Sequence, residues 1–388
     1  MRYGIDASNL RSGGGLNHLL CLLEHRRYSQ GDDTNIILRG SSALCDLIPH
    51  RKWITVKVVP DLDAGPLKRL SWQMLRFPKL SSSACDVLFA PGGLIGDHHV
   101  PTVVMCRNML PFELSEARRY GASYMLARLL FLRLLQAQAF RRADGVVFLS
   151  DYARDRVVEQ IGALSGMTAL IAHGVEHRFR REPRVQRSIK EFSSAREFRL
   201  LYVSIVDVYK HQWNVATAVA DLRLKGMPIT LEIVGPAYPP ALRRLNLSLQ
   251  KVDPTGSFIQ YCGEVSHSEL HHRLLNADGF VFASTCENMP NILLEAMAAG
   301  LPIACSDRRP MVDILGEASV FFDPLRPDSI SRAIAGMLQD TDERTHIARR
   351  AYEQANFYSW EQCASDTFSF IKECAGKRSA DQAADIWD

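Results

Sequence analysis

The chain has 388 residues, 47% of them hydrophobic and 23% charged, with 46 Lys+Arg against 43 Asp+Glu. That length asks for two cores rather than one. The apolar fraction excludes disordered and fibrous classes, and the near balance of charge excludes a strongly basic nucleic-acid binder, so no nucleic-acid partner is expected.

The balance hides an asymmetry. Residues 1–180 carry 23 basic and 16 acidic side chains, whereas residues 181–388 carry 23 and 27. The first half is expected to attract anions or an anionic surface, and the second half is not.

In chain order, short β-rich runs predict strands over 2–6, 35–39, 53–58, 87–89, 102–106, 145–149 and 169–172. Helices are expected over 16–28, 66–78, 118–142 and 151–161. A polar stretch, RREPRVQRSIKEFSSAR, ends at Arg196 and reads as a linker. A second strand series follows over 200–204, 230–234, 258–262, 279–283, 302–305 and 320–322. Helices lie between these strands, three more follow Arg326, and SADQAADIWD reads as a frayed tail. Such alternation implies βαβ units and parallel sheets, hence an α/β fold of two doubly wound domains facing across a cleft.

Nine scattered cysteines without a CxxC pair suggest a reduced, cytosolic protein. The histidines, His98-His99 and His271-His272 included, show no metal-ligand spacing. MRYGIDASNL lacks the apolar core of a secretory signal, and no run approaches the ~20 residues of a membrane span.

Ligands of open parallel sheets bind outside the carboxyl ends of the strands, so the strand-to-helix loops are the places to search. Ser12-Gly13-Gly14-Gly15 follows the first strand. Its glycines let backbone approach a ligand and leave N–H groups at a helix start for an anion. The alternative is an ordinary surface turn. Lys210, after the strand at 200–204, can neutralise a diphosphate as a point charge. The alternative is a solvated lysine.

The most specific loop is Ser284-Thr285-Cys286-Glu287-Asn288-Met289, followed by a helix from Pro290 that includes Asn291 and Glu295. Pro290 suits a first turn and Gly300 a helix end. With Glu287 in the loop and Glu295 in the helix, the two carboxylates can address two ends of one ligand. The N–H groups of Asn288 and Met289 can meet an anionic group between them. For Glu295 the alternative is a favourable helix-dipole interaction.

FASTCENMPNILLEAMAAGLPIACS resembles the signature of the retaining glycosyltransferases of family four, which have GT-B architecture with two Rossmann-like domains. Their acidic-x₇-Glu motif is met by Glu287 and Glu295. Ser150 in VVFLSDYARDR, Gly174 in IAHGVEHRF, Tyr261-Cys262-Gly263-Glu264 and Tyr358-Ser359-Trp360-Glu361 extend the likeness. It is strong over 198–325 and looser over 1–150.

The resemblance implies a first, acceptor-side domain over 1–183, a linker over 184–197 and a nucleotide-sugar donor domain over 198–357. A helix over 358–376 would cross back to the first domain, and a tail would occupy 377–388. Glu287 would hold hydroxyls of the transferred sugar and Glu295 the ribose. Lys210 would stabilise the diphosphate, with Gly13, Gly14, Gly15, Ser204, Gly263, Glu264, Ser284, Asn288, Met289, Pro290 and Asn291 completing the donor contacts. The implied donor is a nucleotide diphosphate sugar, with no cofactor and no bound metal. The acceptor would be a glycan or lipid-linked glycan of surface polysaccharide or lipopolysaccharide synthesis.

Two departures stand out. The family pairs its lysine with an earlier arginine, where this chain has Ser204-Ile205-Val206. The family's His-Asp of the acceptor-domain loop is Arg107-Asn108 here, which makes Arg107 the candidate for the missing charge. The arginine-flanked, leucine-rich helix expected over 118–142 reads either as a core helix or as a surface resting on anionic lipid. The expected location is cytoplasmic, on the inner face of the membrane if that second reading holds. Other roles on the same fold are a nucleotide-sugar epimerase or a non-catalytic sugar-nucleotide-binding protein.

Overall fold

The computed structural model describes residues 1–11, 13–26, 35–77, 84–96 and 99–384. Ser12, residues 27–28 and 78 of the expected helices, His98, and residues 385–388 of the expected tail lie outside the described residues. The chain divides into two compact units. One holds Met1–Leu114, Ala122–Gly174 and Ser359–Asp388; the other holds Ser115–Gly121 and Val175–Tyr358.

The first unit is built on β1 (Arg2–Asp6), β2 (Asn35–Gly40), β3 (Ile54–Val58), β4 (Val87–Ala90), β5 (Thr102–Met105), β6 (Gly145–Phe148) and β7 (Met167–Leu170). All pair in parallel in the order β3-β2-β1-β4-β5-β6-β7. Every residue of β4, β5 and β6 is buried, as strands covered on both faces require.

The C-terminal helix Trp360–Ala384 belongs to this unit and packs on helix Gly13–Glu24 and on β4, β5 and β6. Gly174 is required there, because a Cβ on it would stand 2.2 Å from the Trp360 backbone nitrogen. The helix extends past 376 into the stretch expected to be a frayed tail, whose Ala, Gln and Lys are good helix formers.

The second unit holds β8 (Phe198–Val203), β9 (Ile229–Val234), β10 (Ile259–Tyr261), β11 (Gly279–Phe282), β12 (Ile303–Ser306) and β13 (Val320–Phe322). Their order is β10-β9-β8-β11-β12-β13, again all parallel. Both sheets therefore have the doubly wound Rossmann order, with switch points between β1 and β4 and between β8 and β11.

Three features differ from expectation. The chain leaves the first unit at Gly174 and returns to it at Ser359. From Val175 onward the chain bonds to the second unit: Val175 N donates to Tyr358 O (3.2 Å) and Arg181 N to Ala298 O (2.9 Å). Arg344, fully buried, donates to the Arg187 carbonyl. The polar stretch is thus part of the second unit rather than a bare linker.

The helix expected over 118–142 begins only at Tyr124. Gly121 at φ 65 breaks the chain, and the Ser123 hydroxyl caps the new helix by accepting from Leu126 N (3.3 Å). The helix expected over 66–78 is α-helical over Pro66–Ser71 and widens to a π-helical turn over Trp72–Arg76.

Candidate functional site

In the second unit, the loops leaving β8 and β11 meet at the switch point. Thr285 N donates to Tyr209 O (2.8 Å), which ties loop to loop. The Tyr202 hydroxyl, fully buried at the strand end, donates to the Lys210 carbonyl and accepts from Ala283 N (3.2 Å). Ser306 Oγ donates to Ser284 O (2.6 Å). These bonds fix the backbone from which the charged side chains project.

Lys210 and Glu287, both largely buried, form an ion pair through Nζ and Oε1. The Lys210 ammonium also lies 4.9 Å from the Phe282 ring centroid and 5.0 Å from that of Tyr209. The structure therefore brings together the lysine and the first glutamate singled out in the sequence, and it neutralises each with the other.

Glu295 stands apart from that pair, buried in helix Asn291–Ala298. Burial foremost, and then the charge of Glu176, pushes its carboxyl up to about 8, against the pull of Arg178. Pro290 is the N-cap of this helix rather than a residue of its first turn. Asn288, Met289 and Ser284 are buried beside it, and the Asn291 side-chain oxygen is buried without a hydrogen bond.

Ser204 Oγ accepts from Gln212 Nε2 (2.8 Å). Gly263, at φ 71, accepts from Gly235 N through its carbonyl (2.8 Å), and Glu264 is exposed at the end of β10.

Sequence reasoning missed the segment Ser115–Gly121, which enters this unit although its neighbours on both sides belong to the other. Thr285 Oγ1 donates to Glu116 Oε2 (2.5 Å), which also accepts from Arg119 Nε (2.7 Å). The Tyr120 hydroxyl bonds Asp207, and its ring meets Tyr238 edge-on at 5.6 Å. Burial, and then the charges of Arg119 and Arg244, hold His211 down to about 3. No local signal marks this segment. Glu176 and Arg178 were also missed, although IAHGVEHRF carries both.

In the first unit, Gly13 at φ 66 opens helix Gly13–Glu24, with Gly14 in its first turn. A Cβ on Gly15 would come 3.2 Å from Arg107 Nη1, so the glycine lets this helix start lie close over the guanidinium. Arg107 Nη1 is buried without a hydrogen bond, and no carboxylate among the described residues pairs with Arg107. Burial pulls its guanidinium down to about 10, which leaves it charged at neutral pH.

Beneath lie His18 and His173, Nδ1 to Nδ1 at 2.9 Å, with the Trp360 ring 5.4 Å from the first. Burial foremost, and then the charge of Arg107, holds His173 at about 3, so this pair is neutral. Asn108 is exposed, its Oδ1 accepting from Leu110 N (3.1 Å) in a local turn.

Residues 186–354 match the model of the family described as Glycosyl transferases group 1. The second unit is a group 1 glycosyltransferase domain.

Among curated relatives, the O-antigen chain mannosyltransferase B of Escherichia coli is 34% identical over 115 residues, 30% of each chain. The GDP-mannose-dependent alpha-(1-6)-phosphatidylinositol monomannoside mannosyltransferase of Mycobacterium tuberculosis is 25% identical over 306 residues, 72% of this chain and 77% of that one. Among solved structures, the sucrose-phosphate synthase of Thermosynechococcus elongatus superposes with a TM-score of 0.76 at 17% identity, over 96% of this chain and 98% of that one. The last likeness shows the fold, and the GT-B class of two Rossmann-like units stands.

The Lys210–Glu287 pair and Glu295 both fall inside the matched segment.

Proposed function

We propose that this chain is a retaining, metal-independent hexosyltransferase of family four. It moves a sugar from a nucleotide diphosphate sugar to a glycan or lipid-linked acceptor in surface polysaccharide or lipopolysaccharide synthesis. The observation that carries the reading is the buried Lys210–Glu287 pair at the carboxyl ends of β8 and β11, inside a glycosyl transferases group 1 segment. The names of the two mannosyltransferase relatives support mannose as the first sugar to test.

Lys210 stabilises the diphosphate leaving group, the largest charge developing in the transition state. Glu287 accepts hydroxyls of the transferred sugar and Glu295 those of the ribose. Ser204, Gly263, Glu264, Ser284 and the stretch Asn288-Met289-Pro290-Asn291 surround the nucleotide. Arg107, Asn108 and the amides of Gly13, Gly14 and Gly15 are further candidates to meet the donor's negative charge. The bond from the anomeric carbon to phosphate oxygen breaks and the bond to the acceptor oxygen forms on the same face. The acceptor proton passes to the departing phosphate oxygen, so no side chain serves as general base.

The first unit rests on an anionic membrane surface from the cytoplasmic side through helix Tyr124–Arg142. Tyr124, Phe131 and Leu134 are exposed on that helix beside Arg128. No helix among the described residues is long and apolar enough to cross a membrane.

Thermal-shift screening against UDP- and GDP-sugars tests the donor, because a ligand bound only by the folded state raises the melting temperature with concentration. Transfer assays with the stabilising donor, read for anomeric configuration by NMR, test the reaction. Stabilisation without transfer to any glycan or lipid-linked acceptor would leave a binding protein, and an inverted product would remove the retaining assignment.

A further inference from the structure

Residues 181–196 of the polar stretch carry five basic and two acidic side chains within the half of the chain whose total is acidic. Neither acid neutralises the arginines. Glu191 accepts from Ser188 N (2.9 Å), and Glu182 is exposed.

The stretch wraps the amino ends of β8, β11 and β12, at the end of the sheet opposite to Lys210 and Glu287, and borders a solvent-open pocket of about 450 Å³, with Arg187 and Arg196 exposed at it. Arg184, Arg187 and Arg196 line it together with Phe192. Asp278 is the one carboxylate among the lining residues, and it is engaged by Arg199 through the backbone N (3.0 Å) and Nε (3.5 Å).

The pocket is held in shape. Arg184 is fixed by donating to the carbonyls of Leu275 and Ala277 at the end of helix His267–Asn276. The backbone at Arg187 is anchored by the buried Arg344. Gly300, at φ 64, lets the chain at Arg181 and Pro183 pass against it. Arg187 and Arg196 pair with no carboxylate among the described residues, and the Arg196 guanidinium lies 6.0 Å from the Phe192 ring centroid. Burial first, and then the neighbouring charge of Arg181, lowers the Arg184 guanidinium against the pull of Asp278.

A guanidinium fork matches phosphate oxygens in pairs. The volume falls in the ~300–1,000 Å³ range of small-molecule sites and exceeds what a bare phosphate fills. Phe192, Leu301 and Pro302 add an apolar wall. We propose that this pocket binds the phosphate monoester of a small ring compound, with the phosphoryl group on Arg187 and Arg196 and the ring against Phe192. The site is separate from the one argued for the donor, and the proposal does not depend on that reading.

Equilibrium dialysis of the full chain tests it, with glucose 6-phosphate, UMP and inorganic phosphate as probes. Arg187→Glu/Arg196→Glu inverts the site, and Val185→Glu places a carboxylate at its rim, where Val185 is 92% exposed and the fold is insensitive. Lys210→Met serves as the control for the other end of the sheet. The expected result is binding of glucose 6-phosphate or UMP that persists in Lys210→Met and weakens at least tenfold in both pocket variants. Whichever ester binds tighter distinguishes a sugar phosphate from a nucleotide. No ester binding below millimolar concentration, binding of inorganic phosphate alone, or equal affinity in native protein and Val185→Glu would overturn the proposal.

Discussion

Replacing Glu295 with glutamine should stabilise the ligand-free protein while weakening nucleotide binding. The carboxyl is pushed from its ordinary value of 4.5 up to about 8, chiefly by burial and then by Glu176. Because the folded value lies above the unfolded one, folding is most favourable, as far as this group is concerned, below pH 4.5. That contribution is lost steadily as pH rises toward 8, where the loss levels off. At about 1.4 kcal/mol per pH unit, the interval from 4.5 to 7 corresponds to about 3 kcal/mol. Glutamine keeps the shape and removes the titration, so the variant should gain about that amount at pH 7 and nothing at pH 4.5. For a body of this size the gain corresponds to a rise of roughly 6–12 °C in melting temperature.

Melting curves of both proteins at pH 4.5, 6, 7 and 8 measure the difference. His18, His173 and Asp207 titrate in both proteins and cancel. A difference that stays flat across this range would refute the reasoning, since Glu295 would then be fully ionised and compensated in the free protein. The same variant should bind nucleotide at least tenfold more weakly, the expected opposition of stability and function at a site built for a ligand.

Lys210→Met should destabilise the protein by about 3–5 kcal/mol in chemical denaturation, because Glu287 is left buried without its partner, whereas Lys210→Met/Glu287→Gln should recover most of that. Both should lower transfer by about 10² or more; a single variant as stable as the double would show that the pair is not buried as a unit. Arg107→Ala should lower turnover by about 10² or more with the fold intact by circular dichroism, and unchanged turnover would remove Arg107 from the reaction. Phe131→Glu/Leu134→Glu should abolish flotation with vesicles of anionic phospholipid at physiological salt, where the native protein floats; if the native protein stays in solution, the membrane assignment fails.

The fold was legible where local chemistry and tertiary demand agree. Helix Asp151–Ile161 matches its expected bounds because Ser150 caps it, its hydroxyl accepting from Ala153 N (3.2 Å), and Gly162 at φ 84 stops it. The strand expected at 169–172 lies at Met167–Leu170 instead. It is an edge strand whose position is set by its pairing with β6, Gly145 opposite Met167, and not by its own apolar run.

The Lys210–Glu287 partnership could be suspected from motif and strand position. The surroundings of Arg107 could not, since His18, His173 and Trp360 come from distant parts of the chain. Ser115–Gly121 was invisible for the same reason: Tyr120 finds Tyr238 and Asp207 only in three dimensions.

The Lys210–Glu287 pair points to one sequence of events on donor binding under the proposed function. In the free protein Lys210 and Glu287 neutralise each other. On the proposed donor reading, a diphosphate arriving at Lys210 would carry more negative charge than Glu287, so the lysine would exchange a carboxylate for a phosphate and its charge would stay compensated. Glu287 would then be released with all its acceptor capacity, and sugar hydroxyls are the donors that the same ligand would bring. The pair is thus a stored arrangement in which neither group is left as an uncompensated buried charge before the substrate enters.

A nucleoside diphosphate without the sugar would supply the partner for Lys210 and leave Glu287 unsatisfied. The intact sugar nucleotide should therefore bind more tightly than the bare diphosphate in native protein, and by a smaller factor in Glu287→Gln. Isothermal titration of both ligands against both proteins reads that ratio directly, and an unchanged ratio would break the link between the ion pair and the sugar.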